Sequence, residues 1–395
     1  MAGPLEKVRV LDMTWALAGP FCAMLLSDLG AEVIKVENPE GGDPSRKNFP
    51  FVKEVSSYFL SVNRGKKSVT VNLQHPRGKE IVLSLAKKSD VLVENFRPGV
   101  MDRLGLGYGA MREVNPKIIY AACSGFGRTS PYAHRPAYDV IVQGMGGTLS
   151  ITGEEGGPPV RVGFSIGDIG GGVFTALGIL SALHERERSG QGQMVDVAML
   201  DCQMALLENA FTRFFATGEV PERIGTRHPV QTPFQAFPSK DGYIVVAVAR
   251  QDWWEKFCQL INRLDLISDE RFKTNPARTK NHKDLEEILS AITRTRTTSE
   301  WVADMEKADI ACGPVNTVPQ AAGDPHTLAR EMITQVKHTQ AGMLKVVNSP
   351  IKLSRTPVKL ERASPVLGEH TEEVFMNLLG LSKEDLVKLR EEKAI

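Results

Sequence analysis

Along the first two hundred residues, short apolar runs alternate with stretches whose apolar positions recur at helical spacing. "KVRVLDM" (7–13) reads as a strand, and the small-residue turn "ALAGP" leads from it into a helical run around Phe21–Leu29. "AEVIKVE" (31–37) and "SVTVNL" (68–73) are the next strands. Pro76 opens a helix that runs to Ala86, in the early position where the missing N–H has no helical partner to lose. "DVLVENF" (90–96) and "KIIYAACSG" (117–125) follow as strands, then a long apolar helix over Ile169–His184 and a strand, "MVDVAML" (194–200). Strands separated by helices imply parallel βαβ units, so the pattern predicts an α/β fold with a doubly wound, Rossmann-like parallel sheet.

The pattern changes near Ala216. "DGYIVVAVA" (241–249) follows a turn, amphipathic helices cover roughly Asp252–Leu264 and Asp284–Ile292, and "CGPVNTV" (312–318) closes the stretch. These features predict a smaller α+β domain over 216–324. Residues 1–215 then form the large domain, which 325–395 return to complete. In the tail, Thr371 and Ser382 are expected to cap two short helices, Ser382 with Asp385 at the capping-box spacing.

Composition removes several classes of function. Lysine plus arginine (48) nearly equal aspartate plus glutamate (47), and no basic or acidic tail points to nucleic acid. No apolar run reads as long enough to span a bilayer, and "MAGPLEKVRVLDM" lacks the apolar core of a signal peptide. Neither a nucleic-acid nor a membrane partner is therefore expected. Cys22, Cys123, Cys202, Cys258 and Cys312 lie far apart, which fits reduced thiols in a cytoplasmic setting. The turn after the first strand, "TWALAGP", has none of the G-x-G-x-x-G that brings backbone to a pyrophosphate, and no P-loop occurs. The eight histidines show neither H-x-H nor H-E-x-x-H spacing, so no metal site is expected.

What remains is "GFSIGDIGGG" (163–172). Its first half is Gly-x-Ser-x-Gly, the pattern of a serine-hydrolase elbow, which requires Ser165 on a sharp strand-to-helix turn. The helix is expected to begin after Asp168, which leaves Ser165 inside the preceding strand. Asp168 has two open readings, a helix N-cap or a nucleophile. Three glycines at a helix start cost about 1 kcal/mol each relative to alanine. Either something approaches the backbone there, or neighbouring elements pack very closely. A carboxylate, with an ordinary pKa of about 4, attacks a thioester without a general base. The product is a mixed anhydride, and flanking glycine N–H groups would stabilise the oxyanion.

The chain resembles the class III CoA-transferases, the family of formyl-CoA transferase and the carnitine CoA-transferases. The matching pieces run nearly end to end: "VLDMTWALAGPFCAMLLSDLGAEVIKVENPEGGDPSR", "NRGKKSVTVNL", "DVLVENFRPGVMDRLGLGY", "SGFGRTSPYAHRPAYD", "GDIGGGVFTALGILSAL", "GTRHPVQTPFQAF", "ACGPVNTV" and "PVLGEHT". Within the family it looks most similar to the succinyl-CoA:glutarate branch. The resemblance implies that Asp168 is the nucleophile. It implies CoA contacts at Ala16, Val71, Gln74, Asn95, Phe96, Arg103 and Tyr138, with Leu17 beside the acyl group. It also implies an interlocked homodimer, an acyl-CoA and a free carboxylic acid as partners, and CoA thioester as substrate with no permanently bound cofactor. "NRGKK" (63–67) adds charge near the phosphate path.

Two positions depart from formyl-CoA transferase. Asn38 stands where that relative has a CoA-contacting arginine, which shifts phosphate binding toward Arg46. Leu17 replaces the glutamine beside the oxalyl group, which argues against an oxalyl or formyl substrate. Arg46 and Arg227 are candidates for the distal carboxylate of a dicarboxylic acid, and "GTRHP" (225–229) for closing over the site. The family's α-methylacyl-CoA racemases share the aspartate but use a histidine where this chain has Tyr138. A phenol with an ordinary pKa of about 10 is a poor base for an α-proton. The expectation is CoA transfer, with racemisation as the alternative. A serine hydrolase using Ser165 and a non-catalytic CoA-binding homologue are remoter readings.

Overall fold

The computed structural model describes residues 3–395. Strands β1 (Arg9–Asp12), β2 (Glu32–Glu37), β3 (Lys67–Thr70), β4 (Val91–Glu94), β5 (Ile119–Ser124) and β6 (Met194–Ala198) form one parallel sheet. Their spatial order is 3-2-1-4-5-6, that of a doubly wound sheet whose direction of winding reverses between β1 and β4. In register, Leu11 lies between Ile34 of β2 and Leu92 of β4. The central strands β4 and β5 carry near-continuous apolar runs because both faces of the sheet are covered.

One face packs Val10, Val33, Val93 and Ala121 against helix α1 (Ala18–Asp28) and against a long helix through Ala176 and Ile179. The other packs Leu11, Ile34, Val69 and Leu92 against α2 (Pro76–Ala86) and against Phe375 and Leu389 of the helices Thr371–Leu379 and Lys383–Glu391. The tail also covers the exposed edge of β3. His370 N–H donates to Ser68 O at 2.9 Å, Gly368 N–H to Ser68 Oγ at 2.9 Å and Thr70 N–H to Thr371 Oγ1 at 3.1 Å.

The chain divides into two units. The sheet unit holds the residues up to Thr148, Arg161–Gly218 and Leu328–Ile395; the second holds Leu149–Val160 and Glu219–Thr327. The second unit thus takes in 149–160, a stretch the sequence pattern leaves with the first. Its antiparallel sheet of Phe234–Pro238, Tyr243–Ala247 and Ala311–Pro314 packs Phe237, Ile244 and Val246 against Trp254, Phe257, Leu289 and Trp301.

Three sequence expectations need correction. The long helix, α4, spans Ile166–Ser189 after the short α3 (Asp139–Met145), so it starts three residues earlier than the apolar pattern suggests. Ser165 is therefore the residue before the helix, Asp168 lies inside its first turn, and no strand precedes them. Thr371 is a helical residue rather than a cap, its hydroxyl being engaged with β3, whereas the Ser382–Asp385 capping box forms as expected. Finally, α4 is long and apolar enough to cross a bilayer, but half of its most apolar stretch is buried within the protein, as in a core helix.

The three glycines of α4 are packing positions. A Cβ on Gly170 would meet Leu206 Cδ1 at 3.1 Å, one on Gly171 Met199 Cγ at 3.1 Å, and one on Gly172 the Ala18 carbonyl oxygen at 2.7 Å. The last neighbour is backbone and cannot swing aside. Gly172→Ala should therefore destabilise the protein by about 1–3 kcal/mol despite alanine's better helix propensity. Chemical denaturation measures this; an unchanged or raised stability would show that the α1–α4 contact is loose.

Candidate functional site

Where the winding reverses, the loops after β1, β2, β3 and β4 enclose a cleft of about 1050 Å³. Such a crevice beyond the carboxyl ends of the strands is where open α/β sheets bind ligands. Trp15, Asn38, Val71, Gln74 and Phe96 line it. The β1 and β4 loops are tied reciprocally: Trp15 N–H donates to Asn95 Oδ1 at 3.0 Å, and Asn95 Nδ2 donates to Trp15 O at 2.9 Å. The Phe96 ring lies 5.1 Å from that of Trp15, and Phe96 N–H donates to buried Glu94 at 2.8 Å. Burial pushes the Glu94 carboxyl up to about 7, opposed by the Phe96 N–H and Arg128.

Below the β1 loop lies a buried ionic network. Lys66 Nζ pairs with Asp12 at 2.8 Å, Lys35 Nζ pairs with Asp43 at 3.0 Å and donates to Thr14 O at 2.6 Å, and Asp43 Oδ1 accepts from Ala16 N–H at 3.1 Å. Ala16 is held at a φ of 64°, in the left-handed region, immediately before Leu17 opens α1.

Asp168 occupies the first turn of α4, one turn ahead of Gly172, which packs on the start of α1. Its neighbour Gly167 donates its N–H to Asp139 Oδ1 at 2.8 Å. Asp139 also accepts from Gln143 Nε2 at 2.7 Å and from Arg161 Nε at 3.3 Å, and Arg161 Nη2 donates to Ser165 Oγ at 3.0 Å. Burial pushes the Asp168 carboxyl up to about 7; Asp139 adds to the rise and Arg161 opposes it. The carboxyl is thus not the freely ionised group that its residue type suggests. Burial, together with Asp168, Asp43 and Asp139, also raises the phenol of Tyr58, which links Asp168 electrostatically to Asp43 on the cleft wall.

The expected residues fall into three sets. Val71, Gln74 and Phe96 line the cleft, with Asn95 and Ala16 in the loops that shape it. Arg103 is exposed at the end of the turn Val100–Arg103, and Tyr138, 77% exposed, precedes α3. Arg46 does not line the cleft: its guanidinium grips Glu37 through two contacts of 2.7 Å and lies over Phe59. Arg227 belongs to the second unit, where it faces Glu155 at 3.4 Å. The "NRGKK" charges are also engaged internally, Arg64 by Asp28, Lys66 by Asp12 and Lys67 by Glu32 and Glu373.

Other features carry no local sequence signal. The cleft cations are Lys47, Arg390 and Lys393, the last two brought there because Asn72 N–H donates to Ala394 O at 2.9 Å. The glycine N–H groups do not form an oxyanion hole: that of Gly167 is taken by Asp139, and Gly170–Gly172 lie within the helix. Ser165 faces an arginine rather than a histidine, and no strand enters its turn, so the elbow geometry is absent.

A family profile, CoA-transferase family III, matches residues 5–371. The mouse succinyl-CoA:glutarate CoA-transferase is 38% identical over 387 residues, covering 98% of this chain and 89% of the relative. The acetyl-CoA:oxalate CoA-transferase of Acetobacter aceti is 42% identical over 353 residues, covering 89% and 90%. Among solved structures, a CAIB/BAIF family protein from Brucella suis superposes with a TM-score of 0.87 at 36% identity, covering 96% of this chain and all of the other.

The raised carboxyl gives a titration that is independent of any assay. Infrared difference spectra against Asp168→Asn should show Asp168 losing its proton near pH 7. Asp139→Asn removes a like charge, which favours the ionised form, so the same transition should move to lower pH. A transition near pH 4 in the wild type, or an upward move in the variant, would contradict the electrostatics described.

Proposed function

This chain belongs to CoA-transferase family III, and we propose that it moves CoA from an acyl-CoA, with succinyl-CoA as donor, to a short free carboxylic or dicarboxylic acid. One observation carries the mechanism: a half-buried carboxyl poised near neutrality, in the first turn of a helix packed on the start of α1, the helix that follows the β1 loop of the cleft. Such a carboxyl is substantially ionised at working pH and more nucleophilic than an ordinary aspartate. The Asp168 oxygen attacks the thioester carbonyl, the C–S bond breaks, and a mixed anhydride and CoA thiolate result. The thiolate then attacks the aspartyl carbonyl and expels the donor acid as carboxylate, leaving an aspartyl-CoA thioester. The acceptor carboxylate repeats the sequence in reverse and regenerates the free carboxylate of Asp168.

The cleft suits the nucleotide end of CoA. Val71, Gln74 and Phe96 offer it an apolar and amide-lined wall, and Lys47, Arg390 and Lys393 supply the cations that phosphates need. Ala16, Asn95, Arg103 and Tyr138 would then flank the path toward Asp168, with Leu17 beside the acyl group. A racemase would need a second base opposite Asp168, where this chain offers Tyr138. Deuterium entering the α-position of a 2-methylacyl-CoA would favour that alternative.

We also propose that two copies interlock. The sheet unit exposes Val140, Ile141, Val173, Leu177, Phe214 and Phe215, and the helix Glu208–Thr217 buries none of its residues within one chain. A second copy would remove that apolar surface from water.

Hydroxylamine added to enzyme and acyl-CoA should leave a hydroxamate on Asp168, and Asp168→Asn should lower turnover at least about a thousandfold while remaining folded. Ser165→Ala should cost at most about tenfold, the loss of one hydrogen bond to a charged group. A folded Asp168→Asn enzyme with near-normal transfer would end the mechanism. Independently, sedimentation at nanomolar concentration should still find a two-chain particle, and reversible dissociation on dilution would refute interlocking.

A further inference from the structure

A dicarboxylic acid reacting at Asp168 brings a second negative charge into a site that already contains Asp139. Of the arginines considered from sequence, Arg46 is locked to Glu37 and Arg227 faces Glu155 in the other unit. Arg161 is placed differently. It lies seven residues before Asp168, its side chain is 45% exposed, and its charge acts on both Asp168 and Tyr58. Two of its nitrogens are fixed, Nε by Asp139 and Nη2 by Ser165. Its Nη1 has no hydrogen-bond partner among the described residues.

We propose that Arg161 binds the second carboxylate of a dicarboxylic acid whose first carboxylate is joined to Asp168, with Asp139 and Ser165 holding the guanidinium in place. The assignment rests on the CoA-transferase reading of the site. The timing follows from charge. In the free enzyme Arg161 is bonded to Asp139, and its charge also acts on Asp168. Once Asp168 is bound as anhydride or thioester its charge is gone, and the guanidinium is balanced by Asp139 alone. The exposed edge of Arg161 is then open to the acid that must attack next. The serine of the Gly-x-Ser-x-Gly stretch thereby serves as a positioning residue for a cation and not as a nucleophile.

Kinetics with matched acceptors test this, using glutarate and pentanoate at pH about 8.5, above the titration of Asp168 in the wild type. Arg161→Gln should raise KM for glutarate about a hundredfold, as the loss of a charged pair does. It should change KM for pentanoate less than about threefold. Arg161→Lys should recover part of the loss. Ser165→Ala, a gentler change should the arginine variants fold poorly, should raise KM for glutarate severalfold with kcat unchanged and leave pentanoate alone. Hydroxylamine trapping of Asp168 from acetyl-CoA, which has no second carboxylate, should be the same in all variants. Equal losses on both acids, loss of trapping from acetyl-CoA, or no loss on glutarate would each overturn the assignment. A wild-type enzyme that accepts neither acid but loads Asp168 would overturn it while leaving the aspartyl chemistry standing. One that also fails to load Asp168 would remove the transferase reading itself.

Discussion

Two lysines whose side chains have no solvent exposure, Lys35 and Lys66, hold the chain where it leaves β1. Burying an ammonium group is costly unless it is paired and hydrogen-bonded. Lys66 shows the strain: burial pulls its ammonium down to about 8 even with Asp12 beside it. The compensation is geometric. Asp12 takes Lys66 and the Thr14 N–H, Lys35 takes the Thr14 carbonyl and Asp43, and Asp43 takes the Ala16 N–H. Thr14 and Ala16 are thereby held on either side of Trp15, with Ala16 in a left-handed conformation that alanine rarely adopts unaided. The start of α1 follows from that turn. Gly172 rests on the start of α1, and Asp168 lies one turn before Gly172. The Asp168 carboxyl is thus placed by charges well removed from it in sequence.

Much of this was legible in the sequence where the determinant is local. Apolar alternation located all six parallel strands, and Pro76 marked the first residue of its helix. The failures share one cause: a partner distant in the chain. The start of α4 is set by Asp139, whose carboxylate accepts the Gly167 N–H from 28 residues away, and no pattern within "GFSIGDIGGG" contains that information. The same residue, with burial, moves Asp168 away from ordinary aspartate behaviour. Arg46 and the "NRGKK" cluster looked like cations free for phosphate, and their counter-charges, Glu37, Asp28, Asp12, Glu32 and Glu373, came from other strands and helices. Two of the three cations that do line the cleft, Arg390 and Lys393, came from a tail that local reading could only call helical.

The glycine run illustrates how one sequence signal can serve a purpose other than the obvious one. Glycines near a reactive carboxylate suggest backbone N–H groups aimed at an oxyanion. Here they let α4 approach α1, where a Cβ on Gly172 would meet backbone, and the helix Met199–Leu206, where side chains would have to give way. The loss in helix propensity is offset by tertiary contact, and the benefit is positional accuracy for the residue just upstream.

The cover over the β3 edge bears on how the chain reaches its native state. On the outer side, Ser68 accepts from Gly368 and His370 and the Thr70 N–H donates to Thr371, some three hundred positions later. A chain emerging from the ribosome must therefore carry an uncovered parallel edge through the synthesis of the entire second unit. Unpaired strand edges are where chains associate wrongly, and contacts this remote in sequence form late. The sheet unit is consequently a structure that closes only after the second unit has been made, and until residues 368–371 arrive its β3 edge is open to wrong pairing with other chains.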